Sequence, residues 1–164
     1  MTLLLAGFSL AAPSLELPIQ APMIGGSDPF LESAATNALR GAVSMLSSPS
    51  CRQVFTEFSD RSGVRLQARL DALGHTPESY LRQLRFTNGR GLRICQWTHV
   101  LAATVPNSRV ILLCGAQFSR RGRTDPRHAA ALLIHEELHS LGLGENPPSS
   151  RDITARVLRL CGRG

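Results

Sequence analysis

A chain of 164 residues with 43% hydrophobic and 18% charged side chains carries apolar material for one core, which excludes a disordered chain and leaves no room for two full-sized domains. Aromatic residues make up only 5%, so that core rests on Leu, Val, Ile and Ala. The formal net charge is +6, and all 18 basic residues are arginine; they are scattered without an aromatic–basic platform, which argues against a nucleic-acid partner.

In chain order, Met1 to Ala12 forms an apolar run the size of a signal-peptide core, too short to span a bilayer, with a small-x-small pattern at Ser9-Leu10-Ala11. No Arg or Lys precedes it, and an apolar tail packed on the domain is the alternative. Residues 13–26, with Pro13, Pro18, Pro22, Gly25 and Gly26, read as a linker. Residues 1–26 are therefore expected to be signal peptide and linker, and 27–164 a single domain.

Ser27-Asp28-Pro29 is a helix start, a capping side chain followed by proline in the first turn, and Leu31, Ala35, Leu39, Val43 and Leu46 follow at helical spacing. Pro49 precedes a second short helix over 51–58. Thr76-Pro77-Glu78 opens another through Leu81 and Leu84, expected to stop near Asn88-Gly89. Val100, Leu101 and Val105, then Val110 to Leu113, are apolar strand-type runs separated by Pro106-Asn107-Ser108, as in a hairpin or two adjacent strands. Arg120, Arg121 and Arg123 fall in a Gly-containing stretch read as a loop. Asp125-Pro126 starts a helix that runs to about Leu141, where Gly142 stops it. Ser149 or Ser150 caps the last helix, which carries Ile153, Val157, Leu158 and Cys161 and ends at Gly162. Helices, two strands and two further helices give an α+β domain with a small sheet.

Four cysteines, Cys51, Cys95, Cys114 and Cys161, stand far apart with no CxxC, so zinc-ribbon spacing is absent. Beside an export signal the even count points to two disulfides, with three connectivities open; reduced, buried thiols are the alternative. Disulfides and signal together place the protein outside the cytoplasm, periplasmic or extracellular.

The chemistry concentrates in His135-Glu136-Glu137-Leu138-His139. Residues four apart share a helix face, so both imidazoles project one turn apart, a geometry in which they can bind one tetrahedral Zn²⁺. Glu136 is placed to take a proton from metal-activated water as it attacks a carbonyl. Ile134, Leu138 and Leu141 form an apolar stripe that packs the helix on the core, with Glu137 expected in solvent. Ala131 and Gly142 leave room near the histidine face. A catalytic site needs a third ligand: Gly142 and Gly144 let the chain double back so that Glu145 reaches the metal, with Asp152, His99 or His128 as alternatives.

His135-Glu136-x-x-His139-x-x-Gly142-x-x-Glu145 resembles the extended zinc motif of the metzincin branch of the zincin metallopeptidases. The third position of that family is usually histidine or aspartate rather than glutamate, and no methionine follows it here. The resemblance implies a zincin-like fold, a sheet packed on the active-site helix with N-terminal helices and a C-terminal helix. It also implies His135, His139 and Glu145 as zinc ligands and Glu136 as general base. Tyr80, His99 and His75 are candidates to contact an oxyanion, though each has an ordinary packing explanation; Trp97 is expected in the core near Cys95. Asn146 to Ser150 forms a rigid loop that could wall the cleft.

The function expected is a zinc-dependent peptidase acting on a peptide or protein substrate, which an exposed strand edge could bind as an added strand. A non-catalytic zinc-binding or interaction domain with the same fold, and a zinc hydrolase of a non-protein amide or ester, are the alternatives.

Overall fold

The structure is a computed structural model that describes residues 20–25 and 28–162; the apolar run at 1–12 and the Ser27 cap lie outside the described residues. Where a linker was expected, Met23–Ile24 forms a short strand, β1. Asp28 then caps α1 (Pro29–Leu46), its side chain accepting from the backbone N–H groups of Phe30 and Leu31. Leu31, Ala35, Leu39, Ala42, Val43 and Leu46 make the buried stripe of α1, as the helical spacing predicts. α2 (Pro49–Glu57) follows, with Cys51, Val54 and Phe55 turned inward.

A helix not read from the sequence comes next, α3 (Leu66–Leu73), closed by Gly74 at φ +70°. Only Leu66 and Leu70 are buried in it, one i, i+4 pair, too little periodicity to stand out. α4 (Pro77–Leu81) starts at the predicted capping residue Thr76 but ends a turn later. The expected continuation is instead β2 (Arg85–Asn88), where Phe86 is buried between two neighbouring strands. β3 (Ala102–Ala103) and β4 (Val110–Leu113) are adjacent and antiparallel.

The sheet runs β1-β2-β4-β3, the first three parallel and β3 antiparallel at one edge. Register pairs Met23 with Phe86, Phe86 with Ile111 and Leu112 with Ala103. The Arg120, Arg121 and Arg123 cluster lies in α5 (Gly115–Thr124), not in a loop. Phe118 anchors that helix in the core, and Gly122 faces Ala34 of α1.

α6 (Pro126–Ser140) is the central element: α1 and α5 pack along it on one side, α7 (Ser150–Cys161) on another, and β3 lies over it. Ala129 to Ala131 and Leu133 to Ser140 are all buried. This wrapping overturns the expectation for Glu137, which is 0% exposed. The fold among the described residues is thus α+β, seven α-helices around a small sheet.

Both cysteine pairs are disulfides, Cys51–Cys161 and Cys95–Cys114. The first spans 110 residues and ties α2 to the end of α7; loop-closure entropy makes such a link worth about 4–5 kcal/mol. Ser50 Oγ donates to the Leu160 carbonyl at 3.0 Å and Arg156 pairs with Glu57 at 2.9 Å across the same junction. The second spans 19 residues, about 3 kcal/mol on the same basis, and pins the 3₁₀ turn Arg93–Gln96 to the start of α5. Trp97 follows that turn and is not in the core as expected: it is 56% exposed and stacked on His99, ring centres 6.0 Å apart. A four-residue turn closed by a disulfide at Cys95 directs the indole outward.

Candidate metal centre

Asp125 caps α6 by accepting from the His128 N–H at 3.0 Å, with Pro126 at its first position. Three turns on, His135, Glu136 and His139 sit on the face beneath β3, at most 5% exposed. The His135 and His139 Nε2 atoms lie 3.0 Å apart.

The helix end then shapes the third side of the site. Gly142, at φ +108°, reverses the chain, its N–H donating to the His139 carbonyl at 2.8 Å. A Cβ at Gly142 would meet Asn107 Oδ1 at 3.0 Å and the Asp60 Cβ at 3.1 Å, so neither backbone nor space admits a side chain. The room near the histidines expected of Gly142 is therefore taken by Asn107 and Asp60. The reversal brings the Leu143 carbonyl to 2.8 Å from His139 Nδ1. Two residues later Glu145 Oε1 comes to 3.2 Å from His139 Nε2 and 3.9 Å from His135 Nε2. His135, His139 and Glu145 are the group among the described residues that could hold a metal ion.

Hydrogen bonding behind the rings decides what they present in front. A carbonyl only accepts, so His139 Nδ1 carries the proton given to Leu143, and in neutral His139 the Nε2 is a bare lone pair. That nitrogen faces the Glu145 carboxylate at 3.2 Å. His135 Nδ1 lies 2.9 Å from Thr154 Oγ1 on α7; with the hydroxyl accepting, His135 presents an Nε2 lone pair to the same point. Two imidazole nitrogens and a carboxylate oxygen converging on one point form a group that could hold a cation.

Electrostatics agree with the geometry. Burial, reinforced by the neighbouring His139, pushes His135 down to about 3, so it stays neutral. Burial pushes the Glu136 carboxyl up to about 8, with the Thr104 hydroxyl acting against the shift and Glu145 adding to it. Although Thr104 lies close enough to be felt, neither its hydroxyl nor Glu136 Oε2 makes a hydrogen bond.

A cleft of about 430 Å³ opens over the centre, lined by His135, Glu136, His139 and Glu145 and roofed by Ala102, Ala103 and Thr104. His99, Trp97, Ile94 and Arg61 form its outer walls. A second cavity, about 390 Å³, continues past His135 and Glu136 between α6 and α7, reaching Leu132 and Leu158 with His128 at its side.

The other sequence candidates fall elsewhere. Asp152 Oδ2 accepts from Ser149 Oγ at 2.6 Å as part of the α7 cap and is not in the metal group. His99 and His128 line the cavities but do not join that group. Tyr80 and His75 are outside the cleft: the Tyr80 hydroxyl meets Ser140 Oγ at 2.8 Å and His75 Nδ1 meets Ser79 Oγ at 3.2 Å. Of the segment 146–150, Ser150 lines the cleft. Thr154, Thr104, Arg61 and the Leu143 carbonyl were not found from the sequence. Each is brought in by tertiary packing or main chain, and no local spacing marks them. Comparison with known protein families, with curated proteins and with solved structures finds no match for this chain.

Proposed function

We propose that this chain is a zinc-dependent hydrolase of peptide bonds with a zincin-like arrangement, in which His135, His139 and Glu145 hold the metal and Glu136 is the general base. The observation that carries the reading is the convergence of His135 Nε2, His139 Nε2 and Glu145 Oε1 at separations of 3.0, 3.2 and 3.9 Å. Zinc bonds of about 2.0–2.1 Å at tetrahedral angles separate ligand atoms by roughly 3.3 Å, and a three-ligand set leaves one position open. When bound, zinc supplies Lewis acidity, polarising a carbonyl and bringing the pKa of water to about 7.

The protein's own groups supply the rest. Glu136 has a buried oxygen with no hydrogen-bond partner, next in sequence to a metal ligand and facing the cleft. It takes a proton from the attacking water and delivers it to the leaving amine. A purely structural metal site has no use for such a group. β3 is one of the two edge strands of the sheet among the described residues and the one that lines the cleft, so an extended peptide can pair with it as a further strand. Thr154 and the Leu143 carbonyl orient the two imidazoles. Two disulfides fit an oxidising compartment, in keeping with export, and no described helix is long and apolar enough to cross a membrane.

The test is zinc content measured beside hydrolysis of an unstructured protein. One zinc per chain, lost in His139→Ala and kept in an inactive Glu136→Ala, supports the reading. A wild type that binds no zinc overturns it; a zinc-bound wild type without hydrolysis of peptides, amides or esters leaves a binding domain.

A further inference from the structure

Arg61 stands out among the cleft walls because it is a cation with nothing to neutralise it. It makes no hydrogen bond or ion pair within the described residues, and it is the only arginine among those lining the cleft over His135, Glu136, His139 and Glu145. The neighbouring arginines have partners: Arg69 on α3 pairs with Asp60, and Arg65 donates to the Glu57 main-chain carbonyl at 2.9 Å.

The loop that presents Arg61 is held rigid from within. Asp60 Oδ1 accepts from the Ser62 N–H, the Ser62 hydroxyl and the Val64 N–H at 2.8–2.9 Å. Asp60 Oδ2 accepts from Arg69 Nε at 2.7 Å, and Ser59 and Arg65 bridge the loop's base. The Arg61 side chain then passes over Gly144. A Cβ at Gly144 would stand 2.9 Å from Arg61 Nε and 3.2 Å from its Cγ, so the arginine side chain lies directly against the Gly144 main chain. Gly144 lies one residue before the ligand Glu145, so the guanidinium is seated at the metal centre's own turn.

We infer that Arg61 is a specificity residue that binds a carboxylate of the peptide in this cleft, which makes the substrates acidic peptides or peptides gripped by their C-terminus. A guanidinium offers planar paired donors matched to a carboxylate, and a loop fixed in advance spends little entropy on the contact. Trp97 and Ile94, 56% and 38% exposed, give the neighbouring substrate residue an apolar wall. This inference rests on the hydrolase reading and names its substrate class.

Trp97 is the single tryptophan of the chain, so its fluorescence reports cleft occupancy directly. Zinc-loaded Glu136→Gln protein is titrated with acetyl-Ala-Glu-Ala-Glu-Ala-Glu-amide, with the matching glutamine peptide amide, and with that glutamine peptide as a free acid. A charged peptide is expected to bind about tenfold tighter than the neutral amide, and Arg61→Gln in the same background is expected to erase the difference while keeping its zinc. Preference for the glutamate peptide assigns the contact to an acidic side chain; preference for the free acid alone assigns it to the C-terminus. Equal affinities, no response to any peptide, or a preference that survives Arg61→Gln overturns the inference. A protein that holds zinc and hydrolyses peptides without charge preference breaks this inference alone, whereas failure to bind zinc breaks the reading beneath it.

Discussion

Glu136 and Glu137 are neighbours on one helix, both buried, and yet they occupy opposite situations. Glu136 looks into the cleft beside two imidazoles and Glu145. Glu137 looks into the packed side of α6, with neither carboxyl oxygen hydrogen-bonded; burial, with Glu78 adding to it, holds its carboxyl well above the usual carboxylate range. A buried carboxyl without partners costs several kcal/mol in principle. On the cleft side that cost would have a return under the proposed reaction, since a cation held by His135, His139 and Glu145 would favour the ionised carboxylate, which could then accept a proton from water. On the packed side it has none among the described contacts, and nothing in the structure explains why Glu137 is an acid. The difference teaches that burial alone does not distinguish the two acids; access to the cleft does.

The comparison breaks most sharply on paired substitutions. Glu136→Gln should lower kcat by about 10²–10⁴-fold while zinc content holds, whereas Glu137→Gln should leave kcat within a few-fold; equal losses in a peptide-hydrolysis assay would mean that the two faces are not functionally distinct. On the cleft face, Thr154→Val removes the partner of His135 Nδ1 and should weaken zinc binding by about 10–100-fold, read by competition with a chelator. An unchanged affinity would mean that Thr154 does not orient the ring. On the packed face, Glu137→Met fills similar volume without an unpaired polar group and should raise stability by about 1–3 kcal/mol in urea unfolding; a loss would reveal a partner that the static contacts do not contain.

The smallest effect sharpens a third kind of buried acid, Asp60, which has all the partners Glu137 lacks. Hydrogen bonds led by the Ser62 hydroxyl, with the Val64 and Ser62 N–H groups and Arg69, outweigh burial and hold its carboxyl at about 2, below an ordinary value of 3.8. A depressed pKa means that the unfolded chain takes up the proton first. Its contribution to stability is therefore present above about pH 4 and is lost as pH falls towards 2. Melting temperatures of wild type and Asp60→Asn should converge over that window, and parallel curves would sink the assignment.

How much of this was readable beforehand follows the range of the interactions. The metal group was legible because His135 and His139 are four apart on a well-capped helix, and because Gly142 announces a reversal that carries Glu145 back. Caps at Asp28, Thr76, Asp125 and Ser149 were legible for the same local reason. β2 was mistaken for helix because Phe86 and Thr87 reveal their alternation only against β1 and β4. Glu137 was placed in water because the sequence shows one apolar stripe on α6, while the fold supplies neighbours all round it. Arg61 reaches the cleft, and Thr154 reaches His135, from segments 74 residues before and 19 residues after His135, distances at which no spacing rule operates.

The link between α2 and α7 has a consequence for timing. α7 is made after every ligand, yet it carries Thr154, which turns His135 into position, and Cys161, which meets Cys51. A nascent chain exposing the histidines but not yet α7 lacks the Thr154 partner of His135. Docking of the final helix both completes the hydrogen bond behind His135 and brings the two sulfurs together, so oxidation seals a step that assembly has just completed. A half-synthesised copy lacks both the brace on His135 and the partner of Cys51.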